Sequence, residues 1–287
     1  MSTLIDGLSL GSIYALIALG YTMVYGIAKM LNFAHGDVIM VGAYAILTSL
    51  ALMFNPLIAI LVAVIVCTLL GIIIEKLAYK PLRGASPLAV LITAIGVSYF
   101  LQSIAQLIYG AKSRPVELPA FSSLTLGSVK INLATVITLV AGAIIMVSLT
   151  LFIKKTKTGR AMLAVSEDRG AAQLMGVNVN KIISITFAIG SALAAFASTF
   201  YLMQIPSTSP TLGSMPGIKA FTAAVIGGIG SVPGAMIGGI LLGVVEKICL
   251  SIEVVAPYTT AIEFTILIVI LLVKPTGLMG KQRREKV

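Results

Sequence analysis

The sequence predicts an all-α integral membrane protein with eight or nine transmembrane helices, some broken or re-entrant at Gly-rich segments. Of its 287 residues, 58% are hydrophobic and only 10% are charged, with a mean hydropathy of +1.07. A soluble domain carries about 25% charged residues to cover its surface. Lipid must therefore solvate most of this chain, in spans of about 20 residues that each cross about 30 Å of hydrocarbon.

The apolar residues are grouped in stretches of the length that a membrane span requires. These stretches cover 4–27, 38–54, 57–78, 87–109, 132–153, 182–205, 218–231, 234–252 and 258–273. The stretch 218–231 is short and Gly-rich, so it is either a crossing or a re-entrant segment. Eight or nine spans follow from this pattern.

The net charge of +10 has a simpler explanation than nucleic-acid binding, which we do not expect. Lys and Arg of membrane proteins accumulate in cytoplasmic loops. If loop 154–181 is cytoplasmic, alternation of the spans places 15 of the 20 basic residues on that side or beside it. This bias predicts an external N-terminus and a cytoplasmic C-terminus.

No cofactor or metal site is expected from the residue types. Cys67 and Cys249 both lie in apolar segments, and a single histidine cannot supply a zinc ligand set. No GxxxxGK[ST] motif occurs, so the chain lacks that route to ATP binding. Residues 7–11 match the GxSxG motif of hydrolases, which would pair Ser9 with His35. That motif requires a strand-to-helix turn, whereas this copy lies in a predicted membrane helix.

Several glycines have the GxxxG spacing, which lets membrane helices approach closely. This packing could lie within the chain or at a subunit interface. The three pairs are Gly7 with Gly11, Gly234 with Gly238, and Gly239 with Gly243.

Polar residues near or within the spans are candidates for a translocation path. The segment 32–36 interrupts the apolar pattern and is either a re-entrant turn or a cytoplasmic loop. Gln102 and Gln106 lie one helical turn apart, where they could line a pore or hydrogen-bond another helix. The candidate path residues are Asn32, His35, Gln102 and Gln106. A proton-coupled secondary transporter would instead need an acid relay, for which Glu75 and Glu263 are the plausible members.

Two hydrophilic loops are long enough to carry structure. Loop 110–131 contains prolines and suggests an extended external loop with a short hairpin. In loop 154–181, Thr158 could cap one helix and Ser166 or Asp168 a second, and Gly176 suits a helix C-terminus. The second helix has an apolar face that could dock on a partner or pack on the chain itself: Ala171, Ala172, Leu174 and Met175.

With these features in place, the chain resembles the LivH-type permeases of bacterial branched-chain amino acid ABC importers. The likeness extends from the first span to the C-terminal tail. The segments that carry it are 6–26, the turn Asn32-Phe33-Ala34-His35-Gly36, the inner-loop segment 159–168, the glycine-rich run 227–243, and the tail segment 275–280.

The resemblance implies that residues 1–287 form one importer transmembrane domain and that loop 154–181 docks into the ATPase. Permease loops of ABC importers carry an EAA-x3-G pattern. Here Ala171, Ala172 and Gly176 fit that pattern, while glycine occupies the acidic position. Glu167 and Asp168 lie just upstream and could supply the charge.

The resemblance also implies the partners and the mechanism. Two cytoplasmic ATP-binding subunits, a second homologous permease forming a heterodimer, and an external substrate-binding protein would complete the transporter in the bacterial plasma membrane. The permease itself would do no covalent chemistry and would work by alternating access. Its substrates would be leucine, isoleucine and valine, and urea or other small amides are the alternative substrate class.

Overall fold

The computed structural model describes residues 2–119, 123–126 and 129–280. Across these residues the chain forms eleven α-helices. In chain order they are α1 Ser2–Ala28, α2 His35–Ala51, α3 Pro56–Ile74, α4 Pro87–Tyr109, α5 Leu133–Lys155, α6 Lys157–Glu167, α7 Arg169–Leu174, α8 Val179–Gln204, α9 Ser214–Gly227, α10 Val232–Leu250 and α11 Thr259–Val273.

Several helices begin where a polar side chain accepts a hydrogen bond from the first turn. Asn55 accepts from Leu57 N–H before α3, and Ser86 accepts from Ala89 N–H before α4. Ser231 does the same for Gly234 N–H at the start of α10. Such caps satisfy N–H groups that have no partner within the helix. A proline in the first turn of each of these helices reinforces the start, because its missing N–H is not needed there.

Seven helical segments of the described chain are long and apolar enough to cross a membrane, which confirms the all-α membrane fold. One of them runs from Pro56 to Leu82 because a π-helical turn and a 3-10 turn continue α3. The apolar helix α2 is shorter, with 17 residues. The 14 residues of α9 extend only about 21 Å. Residues 218–227 of the stretch 218–231 therefore belong to a helix shorter than the roughly 30 Å of a full crossing, and residues 228–231 form the turn before α10.

Helix α1 lies at the centre of the bundle and packs most extensively on α10, where glycines remove the side chains between the two backbones. A Cβ on Gly11 would lie 2.7 Å from the Cα of Ile240, and one on Gly7 would lie 3.0 Å from the Cα of Val244. The six glycines of the GxxxG pairs all lie in contacts within this chain. Four are in the α1–α10 contact, Gly7, Gly11, Gly239 and Gly243, and two face α9, Gly234 and Gly238.

We expect Gly11→Leu to lower the melting temperature of the purified protein sharply. Its side chain would have to push α10 away from α1, and overpacking of this kind costs about 1–3 kcal/mol or more. The matched control is Gly96→Leu in α4, where a Cβ meets nothing within 4 Å. The melting temperatures of the two variants are compared by heating each protein and measuring the fraction that stays folded by size-exclusion chromatography. Equal melting temperatures would contradict the role of the glycines in the α1–α10 contact.

The described residues of loop 110–131 are extended and include two paired strands, as the sequence predicts. Strands β2 (Ser123–Leu126) and β3 (Val129–Asn132) pair antiparallel. Strand β1 (Arg114–Pro115) pairs with β4 (Ser207–Thr208), which follows α8. This loop and the helices α6 and α7 lie at opposite ends of the bundle, because α5 connects one to the other.

Candidate functional site: a cavity where two short helices meet

The first turns of α2 and α9 meet inside the bundle. Glycines permit the approach, since a Cβ on Gly36 would lie 3.2 Å from the Cα of Gly217 and 3.3 Å from the carbonyl carbon of Gly213. Non-helical chain leads into both helices, with residues 29–34 before α2 and residues 209–213 between β4 and α9. The two interrupted segments therefore enter the bundle and begin their helices beside each other.

The meeting point lies at membrane depth. A Cβ on Gly20 of α1 would be 2.6 Å from Cε1 of His35, so the start of α2 lies beside Gly20. Gly20 precedes the end of α1 by eight residues, which corresponds to about 12 Å along the helix axis. The segment 29–34 thus re-enters the bundle, and its Met30, Asn32 and Ala34 are buried. Irregular backbone is tolerated at this depth when protein covers it.

A cavity of about 420 Å³ opens beside the crossing. It has a polar side formed by Asp37, Ser98, Gln102 and Ser214. The other lining side chains are aromatic or aliphatic, namely Tyr21, Phe33, Ile95, Tyr99 and Ile218. A pocket that combines an apolar wall with a few convergent polar groups is typical of small-molecule binding sites.

Gln102 connects three elements across the polar side of the cavity. Its side-chain amide donates to Oδ1 of Asp37 at 2.9 Å. The same nitrogen lies 3.3 Å from the hydroxyl of Ser98 and 3.4 Å from the hydroxyl of Ser214. This network joins α4 to the first turns of α2 and α9, and therefore couples the cavity to the position of both short helices.

The four predicted path residues lie in different surroundings. Gln102 lines the cavity, whereas Gln106 is exposed one turn further along α4. The side-chain oxygen of Asn32 accepts a hydrogen bond of 2.9 Å from the Tyr79 hydroxyl. His35 is buried with its ring edge-on to Tyr21, the centroids 4.8 Å apart. Their assignment to a translocation path remains a prediction.

Asp37 is the cavity residue that sequence reasoning missed. It lies in the first turn of α2 and is buried. The apolar stretch 38–54 begins directly after it, so the sequence analysis left it outside the span. The structure begins that helix three residues earlier, at His35. The signal that could have found Asp37 is its position between the polar turn 32–36 and an uninterrupted apolar run.

A second set of buried charges lies where α1, α9, α10 and α11 meet. Nζ of Lys219 is 2.7 Å from a carboxylate oxygen of Glu246 and 3.3 Å from one of Glu263. The hydroxyl of Tyr14 donates to the other oxygen of Glu246 at 2.7 Å. The Lys219 ammonium group thus holds the two carboxylates together and links α9 to α10 and α11. Tyr14 links this cluster to α1.

Glu75 and Glu263 are the two acids that a proton-coupled secondary transporter would need for a relay. Glu263 is ion-paired with Lys219. Glu75 forms an ion pair with Arg83 and accepts a hydrogen bond of 2.6 Å from Ser184. Both acids therefore have partners that account for their burial, and a proton-coupled secondary transporter is not favoured.

We expect Lys219→Met to destabilise the protein strongly. Removing one member of a buried ionic cluster leaves uncompensated charge and typically costs about 3–5 kcal/mol. Thermal melting of the purified protein measures the effect. In the control, Lys219→Met is combined with Glu246→Gln and Glu263→Gln, which removes the charges together and should recover most of the lost stability. A single variant that melts with the wild-type protein would contradict this role of Lys219.

The loop 154–181 folds into α6 and α7, the two short helices that the sequence predicts. The assignment of the first cap to Thr158 is wrong, because Thr156 accepts from Gly159 N–H at 2.9 Å and α6 already begins at Lys157. Asp168 caps α7 by accepting from Ala171 N–H at 3.0 Å. Gly176 has a φ of +81°, the left-handed conformation expected after a helix C-terminus.

The apolar face of α7 is divided between the chain and the solvent. Ala172 is 4% exposed and packs on the protein, whereas Leu174 and Met175 are 90% and 84% exposed. Arg169, at the start of α7, donates to the backbone carbonyls of Ile27 and Ala28 at the end of α1. Glu167 and Asp168 lie at the junction of α6 and α7. The helix is therefore anchored at its first residue and presents two large apolar side chains at its end.

Comparison with known proteins identifies the family. Residues 3–271 match the family model described as the permease component of branched-chain amino acid transport systems. The chain is 44% identical to the high-affinity branched-chain amino acid permease BraD of Pseudomonas aeruginosa, covering 100% of this chain and 98% of BraD. It is 42% identical to LivH of Escherichia coli K12, covering 100% and 97% of the two chains.

Among solved structures, the fold is similar to the complex of PsaBC from Streptococcus pneumoniae with a Fab. The TM-score is 0.51 at 15% sequence identity, covering 96% of this chain and 93% of the other. At this identity the likeness describes the fold alone. The family match over almost the whole chain has a stronger consequence: this protein belongs to the branched-chain amino acid transport permease family.

Proposed function

We propose that this chain is the membrane permease subunit of an ATP-driven importer for leucine, isoleucine and valine. The observation that carries the proposal is the polar cavity at membrane depth, in a chain that matches the family over residues 3–271. In secondary transporters, substrate commonly binds where interrupted helices meet near the middle of the membrane, and this cavity lies at a comparable meeting point. The mixture of apolar and polar groups around the cavity suits an aliphatic amino acid better than urea.

The mechanism we propose is alternating access without covalent chemistry in this chain. The bundle would exchange between packings that open the cavity to one side or the other. ATP binding and hydrolysis in the partner subunits would supply the bias, because a ligand shifts such an equilibrium only through its different affinity for the two packings. The Gln102 network and the crossing of α2 with α9 would change during that exchange.

The coupling surface in this proposal is the pair α6 and α7. Leu174 and Met175 would enter an apolar groove of a cytoplasmic ATP-binding subunit, with Glu167 and Asp168 beside its rim. Ala171 is exposed on the same helix, while Ala172 and Gly176 hold the shape of the turn. Two ATP-binding subunits would engage two permeases, this chain and a second, homologous one.

The orientation follows from the same assignment. The end of the bundle that carries α6 and α7 would face the cytoplasm of a bacterium, and the hairpin end would face the external substrate-binding protein. Basic residues at the coupling end support this orientation. They include Lys154, Lys155, Lys157, Arg160 and Arg169. The four basic residues of the tail, from Lys281 onward, lie outside the described residues.

Affinity purification of this chain from native membranes, followed by mass spectrometry, tests the proposed assembly. We expect an ATP-binding subunit and a second permease of similar size. Reconstitution of that complex with its binding protein should then give ATP-dependent uptake of radiolabelled leucine. Uptake of urea in preference to leucine would favour the amide alternative. A chain that purifies alone and transports without ATP would contradict the proposed class.

A further inference from the structure

Asp37 is an intramembrane carboxylate without a cation. It is 2% exposed and lines the cavity. Arg83 pairs with Glu75, and Lys219 pairs with its two glutamates, whereas no lysine or arginine of the described residues forms an ion pair with Asp37. Its neighbour Gln102 contributes an uncharged amide. Charged groups at membrane depth are costly and normally pair with one another or serve a functional pathway.

The glutamates inside the bundle differ from Asp37 because each has a basic partner. Glu75, Glu246 and Glu263 each have a lysine or arginine within ion-pair distance. The first turn of α2 offers Asp37 only the partial positive charge of a helix N-terminus, about half an elementary charge. Asp37 is thus a buried acid that lines the cavity and has no basic side chain to neutralise its charge.

On this basis, and resting on the proposed function, we propose that the cavity is the amino acid binding site and that the Asp37 carboxylate receives the substrate's α-ammonium group. An ammonium group brings the missing positive charge and three hydrogen-bond donors. A hydrogen bond between charged groups is about twice as strong as one between neutral groups.

The remaining lining fits the other two parts of a branched-chain amino acid. The hydroxyl of Ser214, in the first turn of α9, can donate a hydrogen bond to the substrate carboxylate. The partial positive charge at the N-terminus of α9 also favours a carboxylate there. The aliphatic side chain would lie against Ile95, Tyr99 and Ile218. At about 420 Å³ the cavity lies within the range of small-molecule sites. Urea has no ammonium group, so it could donate hydrogen bonds to Asp37 but would leave its charge without a counter-charge.

The first test compares Asp37→Asn with Asp6→Asn in the complete transporter reconstituted with its binding protein. Asn keeps the size of the side chain and one oxygen that can accept from Gln102, replaces the other oxygen with an NH2 donor, and removes the charge. Asp6 is a half-buried acid of α1 that lies outside the cavity. We expect Asp37→Asn to lower leucine uptake by about tenfold or more, because the substrate's ammonium group loses its charged hydrogen-bond partner. Asp6→Asn should leave uptake unchanged. Wild-type uptake by an assembled Asp37→Asn complex would overturn the proposal.

A second measurement uses the wild-type complex and does not depend on the folding of a variant. Leucine, 3-methylbutylamine (which lacks the carboxylate) and 4-methylpentanoate (which lacks the ammonium group) are compared for their effect on thermal melting without the binding protein. A ligand that binds the native state raises the melting temperature. We expect stabilisation by leucine and by the amine, and none by the carboxylate.

The ammonium site at Asp37 and the importer function can fail independently in these experiments. Stabilisation by 4-methylpentanoate equal to that by leucine, or no effect of leucine, would overturn the ammonium site. Leucine uptake by the wild-type complex would in that case still support the importer. If the wild-type complex transports no leucine, the proposed function fails, and the melting experiment then decides the ammonium site by itself.

Discussion

A chain carrying Leu174→Asp together with Met175→Asp should lose ATP-driven uptake while remaining folded in the membrane. Both side chains are almost fully exposed at the end of α7, so their replacement removes no internal packing. If they are buried by the ATP-binding subunit, each contributes about 1.5–3 kcal/mol of apolar transfer energy. Losing both corresponds to a weakening of the contact by about a hundredfold or more.

The protein supplies a matched control at the opposite end of the bundle. Leu52 and Met53 are also consecutive, with exposures of 64% and 91%. The same pair of aspartates there should leave co-purification of the ATP-binding subunit unchanged. Uptake of radiolabelled leucine and the amount of co-purified ATP-binding subunit are the two readouts. A transporter that keeps both after Leu174→Asp and Met175→Asp would contradict docking through α7.

The substitution Ala172→Asp would be a poorer test of docking than the change at Leu174 and Met175. Ala172 is buried against the chain, and the backbone carbonyl of the same residue accepts from Val177 N–H at 3.0 Å. An aspartate there would place an unpaired charge in the packed turn, which is costly even without a partner. Loss of uptake would then reflect a damaged loop as readily as a lost contact.

We expect Ser98→Trp to abolish uptake by occupying the cavity. Ser98 is half-buried and lines the polar side. An indole ring there would extend toward Asp37 and Ser214, into space that a substrate must use. Because a cavity of about 420 Å³ is present, the ring can be accommodated with less overpacking than in a filled core.

Ser103→Trp is the control for this substitution. It makes the same change on the same helix, at an exposed position that does not line the cavity. Leucine uptake by the reconstituted complex, at equal amounts of assembled transporter, should fall by about tenfold or more for Ser98→Trp, as expected when a substrate site is sterically closed. Equal uptake by the two variants would show that the substrate does not pass through this cavity.

The membrane fold could be predicted because each span is specified locally. A run of about 20 apolar residues can satisfy its backbone only as a helix when lipid surrounds it. The predicted spans therefore agree with the observed helices to within a few residues, as for 87–109 and helix α4 (Pro87–Tyr109). The short helices of loop 154–181 could likewise be predicted from capping residues and Gly176, although the first cap lies at Thr156 rather than at Thr158.

Fewer residues of the candidate site than of the fold could be predicted from the sequence. Gln102 was identified from its polar character within a span. Asp37 was not, because it lies at the edge between the polar turn 32–36 and the apolar stretch 38–54 and was assigned to neither. The ionic cluster of Lys219, Glu246 and Glu263 was also missed, since each residue comes from a different helix. No local pattern shows which charges will meet across a bundle.

The sequence by itself determined the fold class of this protein, the approximate bounds of its apolar helices and the two short helices of loop 154–181, because composition, apolar run length and capping act over a few neighbouring residues. Only the tertiary structure decided that the segment 29–34 re-enters the bundle and that the first turns of α2 and α9 meet. That meeting depends on close approach at Gly36, Gly213 and Gly217. Contacts between residues so distant in the chain arise from packing, which brings Asp37 to a cavity that its neighbours in sequence do not indicate.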